Sequence, residues 1–177
     1  LELICGFEDP PALELEQLRE TMDAAGFEPE SVMLCPAVDR ISTPPGSEWP
    51  NCPPLEEIHI ACANTFGDLI RGGGMATFFT ELNRKRPPLE KLDFVSHSLC
   101  PIIHASDDLS VMETLEAIPH ITRSARAIIG DAEYRIGPST IAMRHNPYGQ
   151  RTFSNPDLNR LCMADNDPRH GAAFGAA

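Results

Sequence analysis

Polar groups gather where the apolar runs of this chain come to an end. The run Met75 to Leu82 closes on Glu81, Asn83, Arg84, Lys85 and Arg86 before Pro87 and Pro88 forbid further regular structure. A carboxylate at a strand end, with Phe78 and Phe79 as neighbours, has the setting for a raised pKa and for general acid or base work. Asn83 and Arg84 would then orient a substrate or steady an oxyanion. The competing reading is an ion pair of Glu81 with Arg84 or Arg86. His97 and Ser98 stand near the end of a second run, Leu92 to Leu99. His97 is either a working base or a core histidine bonded to a backbone carbonyl. Arg144, His145 and Asn146 close a third run. Consecutive strand residues face opposite ways, so one of Arg144 and His145 should enter the site, and Arg144 is favoured. His104, Asp107 and Asp108 have the composition of a metal site. Asp107-Asp108-Leu109-Ser110 also reads as an ordinary helix start, and no metal is assigned.

The elements that must position these groups follow in chain order. A strand over Leu1 to Phe7 leads to a helix with Leu15, Leu18, Met22 and Ala25 at helical spacing, stopped by Gly26. Ser31 to Val38 is a second strand, and Asp39 to Pro54 a long loop carrying Trp49. Leu55 to Asp68 is a second helix. Gly72 to Gly74 release the chain into a third strand, Met75 to Leu82, and Leu92 to Leu99 is the fourth. A third helix holds Val111, Leu115, Ile118, Ile121, Ala125 and Ile128 on one face, and Pro119 should kink or split it. Ser139 to Met143 is the fifth strand. From Gln150 the chain is loop, and Asp165-Asn166-Asp167-Pro168 caps a small-residue helix.

Apolar strands alternating with helices, without hairpin signals, predict a parallel α/β arrangement. No glycine-rich fingerprint follows a strand, which argues against a dinucleotide or P-loop site. Several strands donating polar groups to one rim is the arrangement of a (β/α)8 barrel active site. Glu81, Asn83, His97 and Arg144 should therefore share that rim. Five strands do not close a barrel of eight, so residues 1–177 read as a partial parallel barrel of TIM type, cut from a longer protein. Its outer strands would expose unpaired edges, to be covered by more chain or by a second copy in a homo-oligomer.

Composition narrows the partners. Fourteen Lys plus Arg against 26 Asp plus Glu give a net charge of -12 over 177 residues. A chain that acidic repels phosphate backbones, which argues against nucleic acid. No apolar run reaches the ~20 residues that span a bilayer, and the first residues lack the basic start of a signal peptide. The six cysteines show no CxxC pair or metal-ligand spacing, and reduced thiols in the cytoplasm are the expectation.

The blocks Phe79-Thr80-Glu81-Leu82-Asn83-Arg84-Lys85-Arg86-Pro87, Asp93-Phe94-Val95-Ser96-His97-Ser98 and Cys100-Pro101-Ile102-Ile103-His104-Ala105-Ser106-Asp107-Asp108 resemble the TIM-barrel domain of D-apionate lactonases. Val111 to Glu116, Ile136-Gly137-Pro138 and Arg144-His145-Asn146-Pro147-Tyr148-Gly149 fit the same pattern. The resemblance implies a barrel like those of retaining glycoside hydrolases and a reaction that opens D-apionolactone to D-apionate in apiose breakdown. The first expectation is then a cofactor-independent hydrolase of a small sugar-derived lactone. Glu81 or His97 would activate water, with Arg144 as the third catalytic residue. Asn83, Arg84, Ser98, His145 and Asn146 would hold the oxyanion or the hydroxyls. Alternatives are a glycoside hydrolase and a non-catalytic carbohydrate-binding barrel. The Asn-Glu order typical of the glycosidase acid is absent, since Glu81 precedes Asn83.

Overall fold

The strands pair in chain order. The computed structural model describes residues 1–148 and 151–176. In it β1 (Glu2–Cys5), β2 (Ser31–Pro36), β3 (Ile70–Phe78), β4 (Phe94–Leu99) and β5 (Glu133–Ser139) form one sheet of order β1-β2-β3-β4-β5. Every neighbouring pair is parallel. The crossovers carry α1 (Pro11–Ala24), α2 (Leu55–Thr65), α3 (Phe79–Lys85), and α4 (Asp108–Glu116) with α5 (Ile118–Ile129). This is the repeating β/α order of a TIM-type barrel, laid out as an open parallel sheet of five strands.

Alternation along the strands explains their continuous apolar character. Val32 and Leu34 face α1 and α2, packing with Leu15, Ile58, Cys62 and Phe66. Further along the sheet, Met75 and Val95 pack with Leu82 of α3 and Ile129 of α5. The intervening residues Met33, Cys35, Ala76 and Phe94, with Ile4, form a separate cluster on the face opposite the helices. The expected break at Pro119 falls at Ala117, which ends α4 and caps α5, with Pro119 in the first turn of α5.

Three expectations are corrected. The third strand runs from Ile70 to Phe78, so the glycines lie inside it rather than before it. Glycine is required there because a Cβ at Gly72 would overlap the Phe94 ring, and Gly74 has φ +127° against the Ser96 backbone. Glu81 and Asn83 consequently belong to the short helix α3, whose Leu82 turns into the core beneath Met75. The fifth strand is Glu133–Ser139, not Ser139 to Met143. As the outer strand of the sheet it is largely exposed, and its Glu, Arg and Gly residues hide it from a search for apolar runs. Asp165 to Pro168 starts no α-helix; a 3-10 turn appears only at Ala173–Ala176. Asp167 instead accepts from the backbone N–H and guanidinium of Arg169, local bonds that compete with a helix start. Gly149 and Gln150, at the start of the expected loop, lie outside the described residues. Among the described residues no helix is long and apolar enough to cross a membrane.

Substituting Gly72 by Ala is expected to destabilise the fold by about 1–3 kcal/mol, the typical cost of overpacking, because the Phe94 ring must move. Thermal unfolding of the variant followed by circular dichroism measures it, and an unchanged melting temperature would contradict the packing described.

Candidate active site

Parallel pairing brings the C-terminal ends of the strands, and the segments that follow them, to one rim. After β2 the chain makes a 3-10 turn, Ala37–Arg40. After β5 it runs irregularly through Arg144, His145 and Asn146. The amide of Ser42 donates to the Pro147 carbonyl at 2.6 Å and ties the two segments together. Between them opens a cleft of about 560 Å³, lined by Arg40, Ile41, Arg144, His145 and Asn146, and closed further by Arg151, Thr152, Ser154 and Asp165.

Arg144 reaches across the sheet face opposite the helices. Its Nη1 donates to Ser98 Oγ at 3.3 Å, and its Nη2 pairs with the Glu2 carboxylate of β1. The other Glu2 oxygen is buried without a partner among the described residues. His145 also lines the cleft, so both members of the Arg-His pair enter it rather than one. Its Nε2 is buried and unpartnered among the described residues. Burial lowers the His145 pKa below the ordinary histidine value; the cations Arg144 and Arg40 lower it further, against an opposing pull from Glu2. The imidazole is therefore neutral at pH 7, with a nitrogen free to accept a proton. Asn146 is buried and shapes the turn, accepting from the Tyr148 amide at 2.9 Å and donating to the Arg151 carbonyl at 3.3 Å.

Glu81 lies apart from this cleft, buried at 2% exposure between α3 and the loop after β2. Ser42 donates to one carboxylate oxygen at 2.7 Å, the Thr43 amide to the other at 3.0 Å, and Arg84 pairs with the first. Burial alone would raise its pKa, but these bonds outweigh it and hold the carboxyl below its usual range. Lys85 completes the network, its buried ammonium 3.2 Å from Asp39 and 3.8 Å from Glu81. Asn83 and Arg86 are exposed, and Arg86 donates to the Asn83 carbonyl oxygen. The alternative of an ion pair with Arg84 thus describes the contacts of Glu81, which fasten the loop carrying Arg40 and Ile41 to α3.

His97 is fully buried in the layer between sheet and helices. Its Nδ1 lies 3.0 Å from the Ser98 carbonyl and its Nε2 2.6 Å from the Tyr134 hydroxyl, with the Phe79 ring edge-on beside it. Burial lowers its pKa against a smaller opposing effect of the Ser98 carbonyl. Ser98, one residue on, turns to the opposite face, where it meets Arg144. The expected rim of Glu81, Asn83, His97 and Arg144 is therefore not assembled. The structure brings together Ser98, Arg144, His145 and Asn146, and leaves His97 in the helix layer and Glu81, Asn83 and Arg84 on α3. Asp107 caps α4 by accepting from the Ser110 amide at 2.9 Å, while Asp108 pairs with Arg160 and Arg169. Among the described residues no three His, Cys, Asp or Glu side chains converge as metal ligands.

Sequence reasoning passed over Glu2, Arg40, Arg151, Thr152 and Ser154, and took Asp165 for part of a helix cap. Arg40 carried a usable signal, since it follows an apolar run of the sequence as Arg144 does. Arg151 to Asp165 carried none, because an irregular segment has no periodicity from which to place side chains.

Comparison with known proteins adds what geometry alone does not. The family described as D-apionate lactonase, TIM barrel domain, matches residues 1–177. A D-apionate lactonase of Brucella anthropi is 58% identical over 161 residues, covering 91% of this chain and 26% of that protein. The chain thus spans about a quarter of the length of that relative. No solved structure matches.

Proposed function

The chain belongs to the D-apionate lactonase family by its TIM-barrel domain, and from that premise we propose that its cleft forms part of an active site that hydrolyses D-apionolactone to D-apionate. The observation that carries the assignment of roles is the neutral imidazole of His145, which lines the cleft beside Arg144 and whose Nε2 has no partner among the described residues. His145 takes a proton from water as the oxygen attacks the lactone carbonyl. Negative charge gathers on the carbonyl oxygen, and Arg144 and Arg40 are the cations of the cleft that would meet it. The tetrahedral intermediate collapses, the ring C–O bond breaks, and the departing alkoxide receives the proton from His145. The acid so formed ionises. Thr152 and Ser154 offer hydroxyls to the substrate's own hydroxyl groups. No step calls on a cofactor.

Ser98 and Glu2 act by holding Arg144, and the Glu81 network by holding Arg40 and Ile41. A glycosidase mechanism needs two carboxylates flanking one bond. Among the described residues that line the cleft, Asp165 is the one carboxylate. The cytoplasm is the setting proposed, where six free cysteines would stay reduced. Assay of the full-length protein on D-apionolactone and on aryl glycosides tests the reading. Ring opening of the lactone, followed by proton release, is expected; turnover of the glycosides alone would overturn it.

A further inference from the structure

The chain carries a net charge of -12, yet its cleft gathers three guanidinium groups against one carboxylate. Arg40 and Arg151 are both exposed. No carboxylate of the described residues lies within salt-bridge range of either. Among the described residues Arg40 spends only its Nε, in a long bond of 3.4 Å to the Ala37 carbonyl. Arg144 is already half committed to Glu2 and Ser98. A neutral sugar ring would use such a site through single hydrogen bonds in which only the guanidinium is charged. A carboxylate would use it through bidentate bonds in which both partners are charged.

We infer that the cleft is a carboxylate site that holds the ring-opened hydroxy acid more tightly than a neutral sugar of the same size. The identity of that acid rests on the hydrolase reading; the preference for a carboxylate rests on the arginines alone. Hydrolysis converts a neutral ligand into an anion within a ring of cations, so product is retained and inhibits turnover. Arg40 and Arg151 are the residues that set this retention, with Thr152 and Ser154 contacting the polyol end.

Isothermal titration calorimetry on the full-length protein tests it, with sodium D-apionate and the neutral polyol of the same carbon skeleton as probes. The acid is expected to bind about tenfold or more tightly than the polyol, the scale of one charge-assisted hydrogen bond. Its affinity should fall as salt rises from about 50 to 500 mM, because the arginines are exposed to screening. Arg40→Gln and Arg151→Gln should each weaken the acid about tenfold and move the polyol less than about twofold. Circular dichroism checks that both variants are folded. Equal affinity for acid and polyol, or variants that move both alike, would overturn the inference. The two readings fail separately. A protein that binds the acid in this way without opening the lactone would refute the hydrolase reading only. One that opens the lactone without preferring the acid would refute the carboxylate site only.

Discussion

Replacing His145 by Gln in the full-length protein is expected to lower kcat for lactone opening by about 10²- to 10⁴-fold, the usual contribution of a general base. KM should change little, because the imidazole works on water in the transition state and not on the bound ring. Position and charge together give His145 this role. His145 lines the cleft beside Arg144, and its buried Nε2 has no competing partner among the described residues. Its folded pKa lies below the ordinary histidine value, so the neutral form is the one present at pH 7. Activity that depends on the neutral form is complete above that pKa and lost as pH falls through it. Arg144 contributes to the depression, after burial and ahead of Arg40. Arg144→Gln should therefore let the His145 pKa rise and move the acid limb of the rate profile to higher pH, besides slowing the reaction. A limb that stays in place would mean that the two side chains do not sense each other.

Lys85→Met should destabilise the protein by about 3–5 kcal/mol, the cost of removing one partner from a buried charge cluster. The Lys85 ammonium lies 3.2 Å from Asp39 and 3.8 Å from Glu81, and it approaches the Ile41 carbonyl at 3.3 Å. Methionine would fill the volume and leave Asp39 without its cation, beside a Glu81 that keeps Arg84. The pH dependence has a definite sign. Burial raises the Asp39 pKa to about 6, outweighing the attraction of Lys85. A carboxyl raised in the folded state contributes stability below its ordinary value, and that stability is lost as pH rises through about 6. Without Lys85 the Asp39 pKa climbs further, so the variant's deficit should be largest at pH 8 and shrink toward pH 5. Melting curves at the two pH values measure this. A deficit that is equal at both would show that the ammonium is not what balances Asp39. Because the same loop carries Arg40 and Ile41, the variant should also raise KM.

What could be read from the amino acids was the part that depends on burial. Val32 to Cys35 and Phe94 to Ser96 are apolar or small on both sides because one face packs on helices and the other forms the cluster of Met33, Cys35, Ala76 and Phe94. Parallel β/α order followed from that pattern. Segments whose conformation is set by contacts distant in sequence were less legible. The glycines of β3 look like a breaker, yet they are the only residues that let the Phe94 ring and the Ser96 backbone approach. β5 is an outer strand that mixes Glu133 and Arg135 with Gly137 and Pro138, so its strand character comes from pairing with β4 and not from an apolar run. The site showed the same division. Arg144 and His145 stood out as polar residues after an apolar run. The separation of His97 from Ser98 and the capture of Glu81 by Ser42, Thr43 and Arg84 depend on which way a strand or helix turns.

The most direct test of the account is the pH profile of kcat/KM for D-apionolactone, measured on full-length wild type and on His145→Gln. The wild type should show an acid limb with its midpoint below the ordinary histidine value of about 6.5, and the variant should lack that limb and run far slower throughout. A variant that keeps the wild-type rate with the same limb would place the base elsewhere and contradict the account.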